Sequence, residues 1–208
     1  MGSAGLNVGA VKAAALEGSA AQRGPATWTL EDLRGRLVEV AGWRGGAVYS
    51  AAALLVLDAQ RGGEPCAWVG PRWRGFFPAD FDALGVDLDA LAIVRVADAD
   101  ELSRGADILA RSGGFGLIVL DLGALTPPLS TLSRFAGLAR AHGTAIVFLT
   151  EKPPSAPSLG SFVSLRADAQ FARATGGAFD LCIQVDRDRQ RVRGWQHREV
   201  RLGPPGLP

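Results

Sequence analysis

Gly116-Leu117-Ile118-Val119-Leu120-Asp121 is a continuous apolar run closed by a carboxylate. A strand apolar on both faces must be covered from both sides, which is the situation of a central strand in a parallel sheet between two helix layers. Residues 37–40 and 144–149 read the same way, and 66–69 and 92–96 add two further strands. Between them lie helix-spaced segments. Residues 49–60 are Ala- and Leu-rich almost all round and stop at Gly62-Gly63, so this helix is expected to be buried against a sheet. Asp98 offers an N-cap with Glu101 three residues on, and Leu102, Ala106 and Leu109 mark one face before Gly113. Leu129, Leu132, Ala136 and Ala139 form another helical face, ended by Gly143. Strand and helix in this alternation predict an α/β fold with a mostly parallel central sheet sandwiched by helices, its ligand edge at the strand C-termini; after a Pro- and Ser-rich loop at 152–161, residues 179–185 and 197–202 read as two strands that extend the sheet as an antiparallel C-terminal edge.

With 208 residues, 48% of them hydrophobic, one core is the expectation: a leader at 1–27, a domain at 28–202 and a tail at 203–208. The leader is Ala-, Gly- and Ser-rich and reads as disordered, with an oligomerisation arm as the alternative. A net charge of +1 gives no global pull toward nucleic acid or anionic lipid, so such binding would need a local patch. Cys66 and Cys182 sit on strands among apolar residues and read as buried structural thiols. His142 reads as a helix C-terminal residue and His197 as a strand residue. No metal-ligand spacing and no apolar run of membrane-spanning length occurs, and a cytoplasmic protein without membrane contact is expected.

The first strand runs into Gly42-Trp43-Arg44-Gly45-Gly46-Ala47-Val48-Tyr49-Ser50, where a phosphate-binding loop would open a helix. Such a loop ends in Gly-Lys-Ser/Thr: amides cradle the phosphates, the ammonium neutralises them and the hydroxyl holds Mg²⁺. Here those positions are Ala47, Val48 and Tyr49. Gly42, Arg44, Gly45, Gly46, Val48 and Tyr49, with Asp121 at the place of the acid that holds Mg²⁺ through water, therefore read as a vestigial site. No cofactor and no catalytic residue is expected.

Cys66-Ala67-Trp68-Val69, Leu84-Gly85-Val86-Asp87-Leu88-Asp89-Ala90-Leu91, Leu109-Ala110-Arg111-Ser112-Gly113, and Ile118-Val119-Leu120-Asp121 continuing to Ala124-Leu125-Thr126-Pro127 resemble, in order and spacing, the ATPase core of the bacterial recombinase RecA. The resemblance spans roughly residues 30–202 and implies a RecA-like core. It also implies that Arg72 stands where the water-activating glutamate would be and Glu151 where the nucleotide-sensing glutamine would be. A guanidinium stays protonated and is no general base. Loss of a single preorganised charge-stabilising donor typically costs about 3 to 4 kcal/mol in the transition state. The first DNA-binding loop has no counterpart, since Pro127-Pro128 runs directly into the next helix. A RecA-like domain of this size with these replacements resembles the ImuA family of damage-induced mutagenesis cassettes. That likeness implies a non-catalytic adaptor in translesion DNA synthesis whose partners are an ImuB-type inactive polymerase homologue and RecA itself. The alternatives are a SulA-like division inhibitor and a residual NTPase in which Arg44 replaces the lysine.

Two surfaces are candidates for binding. Trp43, Trp73, Arg74, Phe76 and Phe77 lie in loops at the strand C-terminal edge and are expected partly to fill the vacated pocket and partly to meet a partner. Residues 152–164 stand at the place of the recombinase's second DNA-binding loop, with Lys152 for a phosphate and Phe162 for a base. Arg187, Arg189, Arg191 and Arg193 alternate, so an extended chain would project them from one face as a weak DNA contact; a solvated, charge-protected edge strand is the competing reading.

Overall fold

The computed structural model describes residues 27–43, 47–72, 75–173, 178–191 and 194–202. The leader up to residue 26, the tail, and the site residues Arg44, Gly45, Gly46, Trp73, Arg74 and Arg193 named above lie outside the described residues.

The chain forms α1 (Leu30–Leu33), β1 (Leu37–Gly42), α2 (Val48–Arg61), β2 (Cys66–Pro71), α3 (Pro78–Ala83), β3 (Leu91–Val96), α4 (Ala99–Ser112), β4 (Leu117–Gly123), α5 (Leu129–His142), β5 (Ala145–Glu151), β6 (Leu165–Arg173), β7 (Ala178–Asp188) and β8 (Trp195–Leu202). The strands make one sheet in the order β3-β2-β4-β5-β1-β6-β7-β8. From β3 to β6 every neighbour pair is parallel, and β6–β7 and β7–β8 are antiparallel. This is the expected α/β sandwich with an antiparallel edge.

Two cores follow from the two-residue period of the strands. On one face Val38, Val40, Trp68, Val119, Val147, Leu165 and Ile183 pack beneath α2. That helix is apolar all round because its outer side is covered too: Trp28, Leu30 and Leu33 bury against it, and the Trp28 indole N–H donates to the Ala51 carbonyl at 2.8 Å. On the other face Leu37, Val69, Ile118, Leu120, Ile146 and Phe148 pack beneath α4 and α5. Helix α4 starts as its sequence demands: the Asp98 carboxylate accepts from the Glu101 N–H at 2.8 Å, while Glu101 reaches back to the Ala97 N–H at 2.7 Å. It ends at Gly113 with φ +64°, a left-handed cap for which glycine carries no side-chain penalty. Helix α5 begins at Leu129 directly after Pro128. No helix of the described residues is long and apolar enough to cross a membrane.

Strand β6 has no counterpart in the sequence reading, which passed from the 152–161 loop to β7. It pairs with β1 on one side and β7 on the other, so it carries the change from parallel to antiparallel. The arginine stripe is also corrected. Strand β7 ends at Asp188 and residues 189–191 turn, so Arg187, Arg189 and Arg191 do not share a face. Arg187 bonds the Ser158 hydroxyl and the Val163 carbonyl, Arg191 folds back onto Asp32 at 2.8 Å, and Arg189 stays exposed. His142 closes α5 and His197 lies in β8, as read. Cys66 is buried, and burial pushes its thiol up to about 12, with Glu64 adding to the rise. Cys182 is only half-buried, because it alternates with the core-facing Leu181 and Ile183 and so lies on the opposite face of β7.

Candidate functional site

Strand β1 ends at Gly42, and α2 opens at Val48, so the expected phosphate corner lies between them and the end of β4. Three features fill it. The Tyr49 hydroxyl donates to Asp121 Oδ2 at 3.2 Å. Asp121 is itself only 2% exposed. Gly75 packs directly over it: at φ +99°, a Cβ there would lie 2.0 Å from Asp121 Oδ2 and 3.3 Å from the Tyr49 hydroxyl oxygen. Only glycine can both adopt that backbone and approach so closely. Arg95 of β3 donates to the Pro71 and Phe76 carbonyls at 3.2 and 3.3 Å and stacks over the Phe76 ring, which fixes the residue next to Gly75.

Below that contact lies an aromatic cluster. Trp68 is wholly buried on β2, with ring centroids of Tyr49, Phe76 and Phe81 at 6.2, 5.4 and 5.3 Å. Offset and edge contacts of this kind contribute about 0.5–1.5 kcal/mol each beyond area burial. The Ala47 N–H, one of the amides that such a loop turns toward a phosphate, donates to the Ala169 carbonyl of β6 at 3.0 Å.

These residues do not fit a magnesium triphosphate in the manner of a phosphate-binding loop. Val48 has no charge and is 9% exposed, the Tyr49 hydroxyl is bound to the very carboxylate that would hold the metal shell, and the Gly75 backbone covers that carboxylate. Arg72, at the place of the water-activating base, is exposed on the turn after β2.

The surface candidates divide. Phe76 is core, at 5% exposure, whereas Trp43 and Phe77 remain 46% and 63% exposed and do not fill the corner. The side chains that fill it are Tyr49 and Phe76 over Trp68; of the three, only Trp68 had no place at the corner in the sequence reading. Lys152 is corrected as a free phosphate contact: its ammonium pairs with Glu39 and donates to the Pro157 carbonyl at 2.7 Å. Phe162 is likewise corrected as a free stacking ring, since it packs against the second core.

Glu39 was missed altogether. It is a fully buried carboxylate in the middle of β1, and it organises the segment that follows β5. Its oxygens accept from the Ser158 hydroxyl at 2.7 Å, the Leu159 N–H at 3.0 Å and the Thr150 hydroxyl at 3.3 Å, besides the Lys152 pair. The signal was an acid between Val38 and Val40 in an otherwise apolar strand, because a charge is buried only when paired and hydrogen-bonded. A second missed pair is Arg36 with Asp188, 2.5 Å apart and inaccessible. Burial alone would push the Asp188 carboxyl up; the Arg36 guanidinium, the Gln190 N–H and the Trp195 indole outweigh it and hold the group below its ordinary value.

No protein-family model matches the chain. It is 35% identical over 198 residues to the RecA protein of Rhodospirillum centenum, covering 83% of this chain and 55% of that one. It is 30% identical over 183 residues to the RecA protein of Rickettsia massiliae, covering 82% and 53%. With the RecA protein of Corynebacterium urealyticum the match is 35% over 95 residues, 45% of this chain and 25% of the relative. The chain thus spans about half the length, or less, of these curated relatives. A solved structure of the RadB recombinase shares the fold, with a TM-score of 0.60 at 18% identity over 80% of this chain and 87% of that one. The chain carries the RecA-like α/β core and is similar in sequence to RecA proteins across most of its own length.

Proposed function

We propose that this chain is a RecA-like adaptor that does not turn over ATP and that acts by protein contact in damage-induced mutagenesis. The observation that carries the reading is the Tyr49–Asp121 contact roofed by Gly75, which occupies the place of the metal and its phosphates. Hydrolysis on a RecA-like core needs a cation on the phosphates, a metal held by hydroxyl and carboxylate, and an acceptor for the proton of water. Val48, Tyr49 and Arg72 supply none of the three.

A core kept at this level of packing without that chemistry is suited to presenting a surface. Trp43 and Phe77 expose large rings beside the closed corner, and aromatic side chains of this kind anchor protein interfaces. The likeness of the sequence to the ImuA family supports an ImuB-type inactive polymerase homologue as the partner, with RecA as a second. The test is co-purification of the full chain with that polymerase homologue and with RecA, followed by the Trp43→Ala/Phe77→Ala double variant. Retention of the polymerase homologue by the wild-type chain, weakened at least tenfold in the variant, supports the reading. Phosphate release from ATP above blank, or no retention of either partner, contradicts it.

A further inference from the structure

On the second face of the sheet α4 and α5 pack on β1 to β5, and the strands beyond carry a different sequence. Residues of β6 and β7 that point to the first core stay apolar, as Leu165, Ala167 and Ala169 on β6 and Leu181, Ile183 and Val185 on β7. Their alternates are Arg166, Asp168 and Gln170 on β6, and Gln184 and Asp186 on β7, with Asp168 directly opposite Gln184. The ladder shifts register between Arg166 and Ala167, so Arg187 stands opposite Arg166 and Asp186 is the extra residue of a bulge. Residues 152–163, which follow β5, form a roof over this polar layer. Glu39 fastens the roof through Ser158 and Leu159. Two arginines fasten it from below: Arg166 donates to the Ala156 and Pro154 carbonyls, and Arg187 to the Ser158 hydroxyl at 2.9 Å and the Val163 carbonyl at 3.2 Å.

Two acids meet in this layer. The Asp168 carboxyl is hydrogen-bonded to the Asp186 carboxyl. Ionised carboxylates only accept, so a bond between the two exists only while one of them holds a proton. The proton belongs on Asp168, which is 6% exposed while Asp186 faces solvent, because burial disfavours the charged form. Burial first and Asp186 second push the Asp168 carboxyl up to about 7, with Glu39 adding and Arg166 opposing. The charged groups around it are Glu39 on β1, Lys152 in the roof, Arg166 on its own strand, and Asp186 and Arg187 on β7, with Arg189 beside Arg187. Of these, Glu39 and Lys152 are paired with each other.

Arg166 is the part that responds to this proton. It lies two residues before Asp168 on the same face of β6, and its terminal N–H groups go to two neutral carbonyls of the roof. An ionised Asp168 gives the same guanidinium a charged acceptor, and charge-assisted bonds are about twice as strong as neutral ones. Without its proton Asp168 also lies against the Asp186 carboxylate, a repulsion that the guanidinium relieves by turning toward the pair. Ser158 and Leu159 stay on Glu39 in either state, so the change is confined to the start of the roof. We propose that Asp168 and Asp186 form a proton-operated latch: while they share a proton, Arg166 holds residues 154–156 of the roof down, and when that proton passes to water Arg166 turns onto Asp168 and the stretch comes free.

The test is amide exchange of the full chain at pH 5.5 and 8.5, normalised for the intrinsic pH dependence of exchange, together with the carboxyl carbon shift of Asp168 across the same range. The inference expects protection of the Ala156 N–H, which donates to the Pro153 carbonyl at 2.9 Å, to fall at least tenfold at the higher pH while that of the Leu159 N–H is unchanged. The Ala156 signal and the Asp168 carboxyl carbon are expected to titrate at one midpoint. Asp168→Asn keeps a neutral group in place and is expected to hold the roof shut at both pH values. Asp186→Asn removes the facing charge and is expected to move the midpoint to lower pH, which a merely structural role of the pair would not do. Should either variant melt early, the wild-type titration decides alone. Equal protection of Ala156 at both pH values, an Asp168 carbon that titrates without Ala156, or Leu159 falling in step with Ala156 overturns the inference. So does a fall that survives in folded Asp168→Asn protein, or a midpoint that folded Asp186→Asn protein leaves in place.

Discussion

The corner around Asp121 and the cradle around Asp168 are built from the same material and treated in opposite ways. Each puts a buried aspartate toward the C-terminal edge of the parallel sheet, Asp121 near the end of β4 and Asp168 on β6 opposite Ala41 near the end of β1, where open α/β sheets bind ligands. At Asp121 the fold has brought its own groups to the carboxylate, a tyrosine hydroxyl and a glycine backbone, over a floor of aromatic rings. At Asp168 it has left a carboxyl against that of Asp186, among buried arginine nitrogens without a partner. The difference teaches that a buried carboxylate can be closed over in one place and left among unmatched polar atoms in another: the place where the family pattern points is capped by the chain's own groups, and the unmatched atoms lie three strands away, past β5 and β1 around β6.

The comparison breaks most visibly if the roof of the cradle is removed. Glu39→Ala leaves the Lys152 ammonium without its buried partner and frees the Ser158 and Leu159 donors, so a loss of about 3–5 kcal/mol is expected in urea unfolding, with faster amide exchange across 152–159. A loss below about 1 kcal/mol would mean that the roof is held by something else.

Acid titration separates the two kinds of buried aspartate. The Asp168 carboxyl is pushed up from 3.8 to about 7, by burial first and then by Asp186, with Glu39 adding and Arg166 opposing. Between those values the folded chain holds a proton that the unfolded chain has released, so stability falls as pH rises through the window, by at most about 1.4 kcal/mol per pH unit from this group. Asp188, held below its ordinary value, acts in the opposite sense and loses its contribution as pH falls below about 4. Asp168→Asn is expected to flatten the profile between pH 4 and 7 while leaving the acid limb; an unchanged profile contradicts the assignment.

At the closed corner the effects are smaller. Gly75→Ala forces a Cβ onto Asp121 at a left-handed backbone, for an expected loss of about 1–3 kcal/mol by thermal unfolding. Tyr49→Phe removes one hydrogen bond to a buried carboxylate and is expected to cost about 1 kcal/mol without conferring ATP binding. If Tyr49→Phe instead gained nucleotide affinity, the hydroxyl would be a reversible lid rather than a stopper.

The parallel core was legible because its strands are apolar on both faces and its helices carry their own stops, as Asp98 with Glu101 and Gly113 show. The phosphate-loop pattern likewise marked Val48, Tyr49 and Asp121, and the resemblance marked Arg72. What stayed hidden was β6. Its inward positions Ala167 and Ala169 are small, and its outward positions Arg166, Asp168 and Gln170 are polar, so neither the β-branched content nor the apolar run that marks a strand is present. With β6 unseen, the polar layer on it could not be assembled. The arginine alternation failed for a related reason: Asp188-Arg189-Gln190-Arg191 turns without glycine or proline, through the Asp188 carboxylate, which accepts locally from the Gln190 N–H at 2.9 Å and is held in place by the distant Arg36. The corner's plug was half legible, since Tyr49 was visible as a replacement and its bond to Asp121 across 72 residues was not.

The most direct test of the central claim is calorimetric titration of the full chain with ATP and Mg²⁺, paired with a phosphate-release assay on the same sample. The account predicts no saturable heat and no release above blank. Magnesium-dependent binding in the micromolar range that Asp121→Ala abolishes would contradict it.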